Sequence, residues 1–307
     1  MIQINKNTYK AHLALLSANI IYGMNHLIAK GVMPEKVGPT AFIFIRILGA
    51  SMLFWMIKHF VKEKIDKEDY PRLITCGVIG IAINQLLYFH GLSLTSPIDA
   101  SIIYTSTPVL VLIYSYFLLK EKITSTKLIG IALGGTGALL LILYGSNSQG
   151  TSSTLGNLLI FSNALFYSFY LVFVKPLMQK YQPITVISWV FLIGFIFMIP
   201  VGFNSFIETD FSAFTLNTYL IIAFVVIATT FLTYLFNIYA LTKVAPSVNG
   251  SYIYLQPVVS FTMVSLYAYF FNDTEYAQDI SLVKIASCIL VISGVYMISR
   301  KKKIVIG

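Results

Sequence analysis

The chain has 307 residues, of which 57% are hydrophobic and only 11% are charged. Soluble domains carry roughly 25% charged residues, so this composition excludes a water-soluble globule of that size. The net charge of +9 does not indicate nucleic-acid binding, because the lysines lie in short stretches between apolar runs, as they do in the cytoplasmic loops of membrane proteins.

The apolar residues form ten long runs along the chain. A helix of about 20 apolar residues crosses a hydrocarbon core of about 30 Å, and the short linkers make neighbouring helices antiparallel. The sequence therefore predicts an all-α polytopic membrane protein that is embedded in the lipid bilayer. Helices 1 to 10 are predicted at residues 11–29, 40–57, 72–91, 99–119, 126–144, 155–174, 185–202, 217–240, 247–269 and 281–299.

The basic residues are distributed unequally between alternate linkers. If the N-terminus is cytoplasmic, the outside segments contain only Lys30, Lys36 and Lys284, and the inside segments contain the other basic residues that lie outside the helices. Excess Lys and Arg marks the cytoplasmic side. We therefore expect a multi-pass protein of the cytoplasmic membrane with both termini inside, whose first helix is retained as a membrane span.

The two halves of the chain resemble each other. Lys30 aligns with Lys175 at a separation of 145 residues, and the same register aligns Tyr22 with Tyr167. Each half, 11–144 and 155–299, contains five helices, and an odd number inverts the second half relative to the first. Inverted repeats are typical of secondary transporters, whose substrate site lies between the repeats near the bilayer midplane.

Large polar side chains are concentrated in helices 1, 3, 4, 6, 8 and 9. Within a helix they recur at three- and four-residue spacings, which places them along one face. A polar face turned towards lipid would leave unsatisfied groups in hydrocarbon, so we expect these faces to line a central substrate cavity. Helices 2, 5, 7 and 10 would then face lipid. The candidate cavity residues are Asn19, Tyr22, His26, Gln85, Tyr88, Tyr104, Thr105, Asn163, Tyr167, Tyr170, Tyr234, Asn237, Asn249, Tyr252 and Gln256. For any single residue, hydrogen bonding between packed helices is an open alternative.

Five further residues are candidates for a gate or hinge. Pro108 and Pro257 occupy equivalent places inside helices 4 and 9, where proline bends a helix, either as a hinge or as a static kink. Arg46 lies about six residues from the outer end of helix 2, and it either has a function or extends to the interface. His90 and Asp99, together with His26, lie towards the outer ends of their helices and are candidates for an outer polar gate.

Other features of the sequence predict packing and indicate no catalysis. Gly130 and Gly134 form a GxxxG motif that is expected to bring helices close together within the monomer. Cys76 and Cys288 lie in apolar runs and are interpreted as small hydrophobic residues. The sequence has no HExxH motif and no second membrane Asp beside Asp99, so we predict no catalytic residues, metal or cofactor.

The order of these features resembles an EamA-type member of the drug/metabolite transporter superfamily. The similarity rests on the runs LYFHGLSLTSPIDASIIYTSTPVL and LLKEKITSTKLIGIALGGTGALLLI and extends over nearly the whole chain. The features that match the family unit are Lys30, Arg46, Thr95–Ser101, Pro108, Glu121 and Gly130–Gly137. The second half departs from that unit, because it has no Arg at the position of Arg46. The resemblance implies ten helices around a central cavity and the efflux of amino acids or other metabolites.

The cavity residues are mostly uncharged, so we expect the partner to be a small neutral or zwitterionic solute. A passive channel remains an alternative, and an integral membrane enzyme is a further and weaker one. Coupling to protons requires a group that titrates near neutral pH. Among the polar side chains of the predicted helices, the histidines His26 and His90 are of that type. Because histidines in helices are often only hydrogen-bonding partners, we expect facilitated or weakly proton-linked transport.

Overall fold

The structure is a computed structural model that describes residues 6–120, 124–144, 152–241, 243, 252–272 and 281–299. Within these residues the chain is almost entirely helical and contains no β-strand. Helix is present at each of the ten predicted positions, so we number the helices α1 to α10 to match helices 1 to 10. This architecture, together with its apolar surface, is that of a polytopic all-α membrane protein.

Six helices are unbroken or nearly so. They are α1 (Lys6–Lys30), α2 (Pro39–Lys58), α5 (Ser125–Tyr144), α6 (Thr154–Phe173), α7 (Pro183–Ile207) and α10 (Leu282–Ser299). The others combine shorter segments: α3 (Tyr70–Gly77, Val78–Ile83 and Asn84–Leu94), α4 (Pro97–Tyr104 and Thr107–Leu119), α8 (Leu216–Phe224, Val225–Leu232 and Thr233–Leu241) and α9 (Tyr252–Tyr254 and Leu255–Phe271). A short helix, Lys175–Lys180, follows α6.

Six helices of the described chain are long and apolar enough to cross a membrane, namely α2, α3, α4, α6, α7 and α8. The apolar segments described in α5, α9 and α10 are shorter. Exposed apolar side chains, such as Met56 on α2 and Phe197 on α7, provide a surface suited to lipid. The total of ten crossings stays a prediction.

Two helices contain π-helical segments at corresponding places. Val78–Ile83 interrupts α3, and Val225–Leu232 interrupts α8. Such segments are rare, and they often occur at functional sites because the extra residue in the turn changes the direction of the side chains that follow. Here the residues within and after the two segments contribute to the polar interior described below.

The single helix predicted over 99–119 is in fact two helices that meet at Thr105–Ser106. Pro108 lies in the first turn of the second helix and does not bend a continuous one. A proline has no N–H to donate to the carbonyl four residues earlier. The Thr107 hydroxyl donates to that carbonyl, on Tyr104, at 2.7 Å. Pro257 likewise lies in the first turn of Leu255–Phe271, after the short 3-10 helix.

The two halves of the chain interleave in matched pairs. The pair α2–α7 joins equivalent helices, as does α5–α10. The contact of α3 with α6 has its counterpart in α8 with α1, and that of α4 with α6 in α9 with α1. Gly49 of α2 packs against Val226, and Gly194 of α7 packs against Ile81. Gly194 lies 145 residues after Gly49 and Val226 lies 145 residues after Ile81, so the two contacts are related by exchange of the halves at the separation of Lys30 and Lys175.

Glycines allow α5 and α10 to pack closely. A Cβ atom added to Gly294 would lie 2.5 Å from the Gly130 carbonyl oxygen and 2.5 Å from the Gly134 nitrogen. A Cβ atom on Gly137 would lie 2.8 Å from the Ser287 carbonyl oxygen. The GxxxG motif therefore makes a contact within the monomer, as the sequence predicted.

A polar clasp joins the two halves at the end of the bundle where α2 ends. The Lys180 Nζ atom lies 2.6 Å from a carboxylate oxygen of Asp66 and 2.6 Å from one of Asp69. The Tyr181 hydroxyl donates to Asp69 at 2.7 Å. These hydrogen bonds, chiefly that from Lys180, hold the pKa of Asp66 below its ordinary value.

Candidate functional site

Arg46 lies in the interior of the bundle, and only 6% of its surface is exposed. Its Nε atom donates to the Thr230 hydroxyl at 2.6 Å, and its Nη1 atom donates to the Gln85 side-chain oxygen. Its guanidinium carbon lies 4.9 Å from the centre of the Phe89 ring. Arg46 therefore connects α2 with α3 and α8, and the extension towards the interface that the sequence left open is excluded.

The two partners of Arg46 occupy matching positions in the two halves. Thr230 follows Gln85 by 145 residues, the separation already found between Lys30 and Lys175. Gln85 lies just after the π-helical segment of α3, and Thr230 lies within that of α8. The Thr230 hydroxyl also donates to the Val225 carbonyl at 2.8 Å. The guanidinium thus lies between equivalent points of the two halves.

Tyrosines surround this arginine. Tyr22, Tyr88, Tyr104 and Tyr234 are close enough to Arg46 to interact with it electrostatically. The ring centres of Tyr88 and Tyr104 lie 6.3 Å apart, and those of Tyr104 and Tyr167 lie 5.8 Å apart. All five of these tyrosines are partly exposed, neither buried nor open to the surface. Partly exposed aromatic side chains thus cluster around a buried cation, and the expectation that they line a substrate cavity stays a prediction.

Two hydrogen-bonded pairs extend the polar interior along α1. The His26 Nδ1 atom lies 2.9 Å from the Tyr88 hydroxyl oxygen. The Gln256 side-chain amide donates to Asn19 at 2.9 Å, which connects α9 to α1. Both Asn19 and His26 are almost fully buried. Within the described residues, His26 Nε2 and Gln256 Oε1 have no hydrogen-bond partner.

Helices α3 and α6 are joined by a reciprocal pair of asparagines. The Asn163 side-chain amide donates to the Asn84 carbonyl at 2.8 Å, and the Asn84 amide donates to the Asn163 carbonyl at 3.3 Å. Tyr170 is buried and packs directly on Gly80, where an added Cβ atom would overlap its ring. For Asn163 and Tyr170 the alternative that the sequence left open, packing between helices, accounts for the contacts.

Other predicted cavity residues have more local contacts. The buried Thr105 hydroxyl donates to the Ile102 carbonyl at 2.6 Å, at the break in α4. Asn237 donates to the Thr233 carbonyl at 2.8 Å and, with Thr233, faces Tyr22. The Tyr252 hydroxyl lies 2.8 Å from His12 Nδ1, in a small cluster apart from Arg46.

One predicted cavity residue, Asn249, lies outside the described residues, so its place among these contacts stays a prediction.

The predicted outer gate is divided between separate contacts. His26 belongs to the tyrosine-lined interior, as described above. His90 is half-buried, and its Nε2 atom lies 3.1 Å from the Thr40 hydroxyl oxygen. Asp99 is fully buried and forms an ion pair with Lys284, with Nζ and Oδ1 2.7 Å apart. The structure therefore does not bring His26, His90 and Asp99 together.

Asp99 and Lys284 are the centre of a larger polar network. The Asn157 side-chain amide donates to Asp99 Oδ2 at 2.9 Å, and the Asn157 side-chain oxygen accepts from the Thr95 hydroxyl. The Thr95 carbonyl accepts from Lys30, which also donates to the Leu92 carbonyl at 3.2 Å. The positive charge of Lys30 thus lies at the carbonyl end of α3, where it is favourable.

Sequence reasoning missed Lys284 and Asn157 as members of this network. The charge distribution predicts an outer segment for Lys284, and yet only 2% of its surface is exposed. It lies in the first turn of α10, and Asn157 lies in the first turn of α6. Charged residues at helix ends usually extend to water. The sequence therefore offers no signal that neighbouring helices enclose Lys284.

A separate cleft of about 400 Å³ lies at the end of the bundle where α1 ends. Its lining includes Lys36, Thr40, Glu208 and Asp210. It does not contain the tyrosines around Arg46. Among the described residues, no group of three or more His, Cys, Asp or Glu side chains could hold a metal ion.

Comparison with known proteins identifies the family. The family model described as the EamA-like transporter family matches residues 9–143 and again residues 154–300. The chain belongs to the EamA-like transporter family. The two matches leave only the first residues, the middle linker and the last residues uncovered.

Similar proteins occur in bacteria, archaea and plants. The uncharacterized transporter YetK of Bacillus subtilis is 25% identical, and the alignment covers 97% of this chain and 89% of YetK. An uncharacterized transporter of Archaeoglobus fulgidus is 26% identical, with 87% and 90% covered. A WAT1-related protein of Arabidopsis thaliana is 24% identical, with 87% and 80% covered. Because the chain belongs to the EamA-like family and resembles these transporters, it is a multi-pass membrane protein of a transporter family.

One solved crystal structure also resembles this EamA-like chain. It superimposes with a TM-score of 0.62 at 16% sequence identity, over 94% of this chain and 96% of the other. At this identity the similarity establishes the fold alone.

Proposed function

We propose that this protein is a secondary transporter or facilitator that exports small neutral or zwitterionic metabolites, such as amino acids. The observation that carries the proposal is the tyrosine-lined polar interior around Arg46. Arg46 bonds to Gln85, just after the π-helical segment of α3, and to Thr230, within the matched segment of α8. A substrate site between two repeats is what alternating access requires, because each half can then open the site to one side.

The matched helix pairs support two inverted repeats, over residues 11–144 and 155–299. Equivalent contacts such as Gly49–Val226 and Gly194–Ile81 support a two-fold relation between the halves. Under this proposal the ion pair of Asp99 and Lys284 closes one end of the bundle. The loops around Lys180 close the other end.

We further propose that the protein is a monomer of the cytoplasmic membrane with both termini inside, and that it binds no nucleic acid and has no enzymatic activity. The charge distribution supports the orientation. Reporter fusions at the C-terminus and after Gly145 are expected to report opposite sides of the membrane. Reporting from the same side would contradict the arrangement of ten helices.

The central experiment measures transport by the purified full-length chain in liposomes. Liposomes are loaded with a mixed pool of amino acids and neutral metabolites, and released solutes are quantified by mass spectrometry. We expect selective release that saturates with solute concentration and is absent from protein-free liposomes. Release that rises without saturation would indicate a passive channel, and no release of any solute would contradict the proposed function.

A further inference from the structure

Arg46 is a buried cation whose described partners are neutral. Its hydrogen bonds go to Thr230 and Gln85, and its ring contact is with Phe89. Among the described residues, no carboxylate lies within 4.0 Å of its guanidinium nitrogens. Lys284, which is also buried, has Asp99 as its partner. Among the described residues, the fold therefore pairs Lys284 with a carboxylate and leaves Arg46 without an acidic partner.

An unpaired charge in the interior of a membrane protein is costly. Insertion of an Arg at the centre of a membrane helix is unfavourable, and charges removed from water are usually paired with an opposite charge. A buried arginine that has no structural counterion is well suited to bind an anion reversibly.

We propose that Arg46 binds the carboxylate of the transported solute, and that the substrates are small monocarboxylates, zwitterionic amino acids included. This inference rests on the proposed function and narrows its substrate class. A guanidinium presents five N–H donors in a plane, and two of these directions are used by Thr230 and Gln85. The remaining donors lie along the edge of that plane, where a carboxylate can accept two hydrogen bonds.

The surroundings hold the guanidinium in a fixed orientation. Thr230 and Gln85 fix two of its nitrogens, and the Phe89 ring covers one face. The anion therefore approaches from the edge. A preorganised donor loses little conformational freedom on binding, which favours affinity.

Aromatic side chains of the second half of the chain lie close to Arg46. The residue that follows Arg46 by 145 positions is Phe191, so the repeat places an aromatic ring where the first half has a charge. The Phe191 and Tyr234 ring centres lie 5.1 Å apart, and Tyr234 is also near Arg46. Phe191 is buried behind Tyr234, so it is the partly exposed Tyr234 ring that lies beside the cation. An aromatic ring next to a guanidinium suits a single carboxylate attached to an apolar or aromatic body.

The same arrangement disfavours substrates with several negative charges. Phosphate esters are usually bound by several cations or by a helix N-terminus. Arg46 is one cation, and Lys284 is already paired with Asp99. A purely structural Arg46, which only ties α2 to α3 and α8, is the alternative that the experiment must separate from the proposal.

The test uses pairs of probes that differ only in the carboxylate. The probes are L-phenylalanine and L-phenylalaninamide, L-leucine and L-leucinamide, and 3-phenylpropanoate and 3-phenylpropanamide. Binding to the full-length protein in nanodiscs is measured by isothermal titration and by the shift in unfolding temperature. For at least one pair, we expect the carboxylate to bind roughly tenfold to a hundredfold more tightly than the amide, the range for hydrogen bonds to charged groups.

Two variants and one control separate binding from structure. Arg46→Gln is expected to abolish the preference for the carboxylate. Gln85→Glu places a carboxylate beside Arg46 and preserves the contact between α2 and α3, so it should fold and yet exclude the probe. Arg72→Gln is the matched control, because the Arg72 guanidinium carbon also lies near a phenylalanine ring, 5.1 Å from the centre of Phe173, but far from the cavity. It is expected to bind as the wild type does.

Three results would overturn the inference: equal binding of carboxylates and amides by the wild type, an unchanged preference in Gln85→Glu, or no binding of any carboxylate probe. Saturable release of neutral solutes from liposomes by both the wild type and Arg46→Gln would leave the proposed transport intact and remove only the role of Arg46. Absence of all release would instead contradict the proposed function itself.

Discussion

Asp99 of α4 and Lys284 of α10 form an ion pair, with 2.7 Å between their charged atoms and almost no exposed surface. The two residues are far apart in the sequence and belong to different halves of the chain. Lys284 also donates to the hydroxyls of Ser96 at 3.3 Å and Ser152 at 3.2 Å. Its ammonium group therefore holds together three segments at one end of the bundle.

Removing one member of this pair should be more harmful than removing both. Asp99→Asn or Lys284→Met alone leaves one buried charge unpaired, and we expect each to lower the unfolding free energy by about 3–5 kcal/mol. The double variant leaves no charge, and it is expected to recover at least half of that loss. Denaturant unfolding in mixed micelles measures the three variants. Additive losses in the double variant would contradict the coupling.

The contact of α5 with α10 can be tested at one glycine. Gly294→Ala places a Cβ atom against the backbone of Gly130 and Gly134, which cannot move aside as a side chain can. We expect a loss of about 1–3 kcal/mol, as for overpacked cores. Gly135→Ala on α5 is the control, because nothing lies within 4 Å of its added Cβ atom. Thermal unfolding of both variants provides the comparison, and equal stability of the two would show that α5 and α10 are not in close contact.

The clasp between Asp66 and Lys180 predicts a pH dependence. Because the pKa of Asp66 is lowered in the folded protein, its stabilising effect is complete above the ordinary carboxylate value and is lost as the pH falls through the lowered value. We expect the stability difference between the wild type and Asp66→Asn to be small, since Asp66 is exposed, and to disappear at low pH. Unfolding temperatures measured from pH 2.5 to 7 provide the test, and a difference that grows on acidification would have the wrong sign.

Accessibility to water distinguishes the tyrosine-lined interior from the lipid face. In a background with Cys76 and Cys288 replaced by serine, we expect cysteines at Tyr22, Tyr88 and Tyr167 to react with a water-soluble maleimide.

Cysteines at Met52, Met56 and Ile196, which are exposed on α2 and α7, are the controls. They are expected to remain unreactive because lipid covers them. Labelling is quantified by mass spectrometry of the intact protein in membranes. A reversed pattern would contradict the cavity.

Transport is expected to be facilitated or only weakly coupled to protons. Asp99 is paired with Lys284, and His26 is bound to the Tyr88 hydroxyl, so neither group is presented as a free proton carrier. An imposed pH gradient across vesicles should change the transport rate less than twofold. Strong accumulation driven by the gradient, and abolished by His26→Gln, would contradict this expectation.

The sequence by itself determined where the helices lie and which faces are polar. A chain in lipid must satisfy its backbone within each helix, so long apolar runs are sufficient to locate the helices. The spacing of Asn19, Tyr22 and His26 places them on one face of α1 for the same local reason, since a helix turns once in 3.6 residues. Family membership also follows from the sequence, because the order of the motifs is fixed along the chain.

Only the tertiary structure decided which polar groups meet. Arg46 lies on a helix that is otherwise poor in polar residues, and its partners Gln85 and Thr230 become neighbours only when α3 and α8 pack against α2. Lys284 lies near a helix end, from which an isolated side chain would reach water. It is buried because α4 and the start of α6 close over it. Such contacts depend on how separate helices are arranged around one another, and a local pattern does not contain that information.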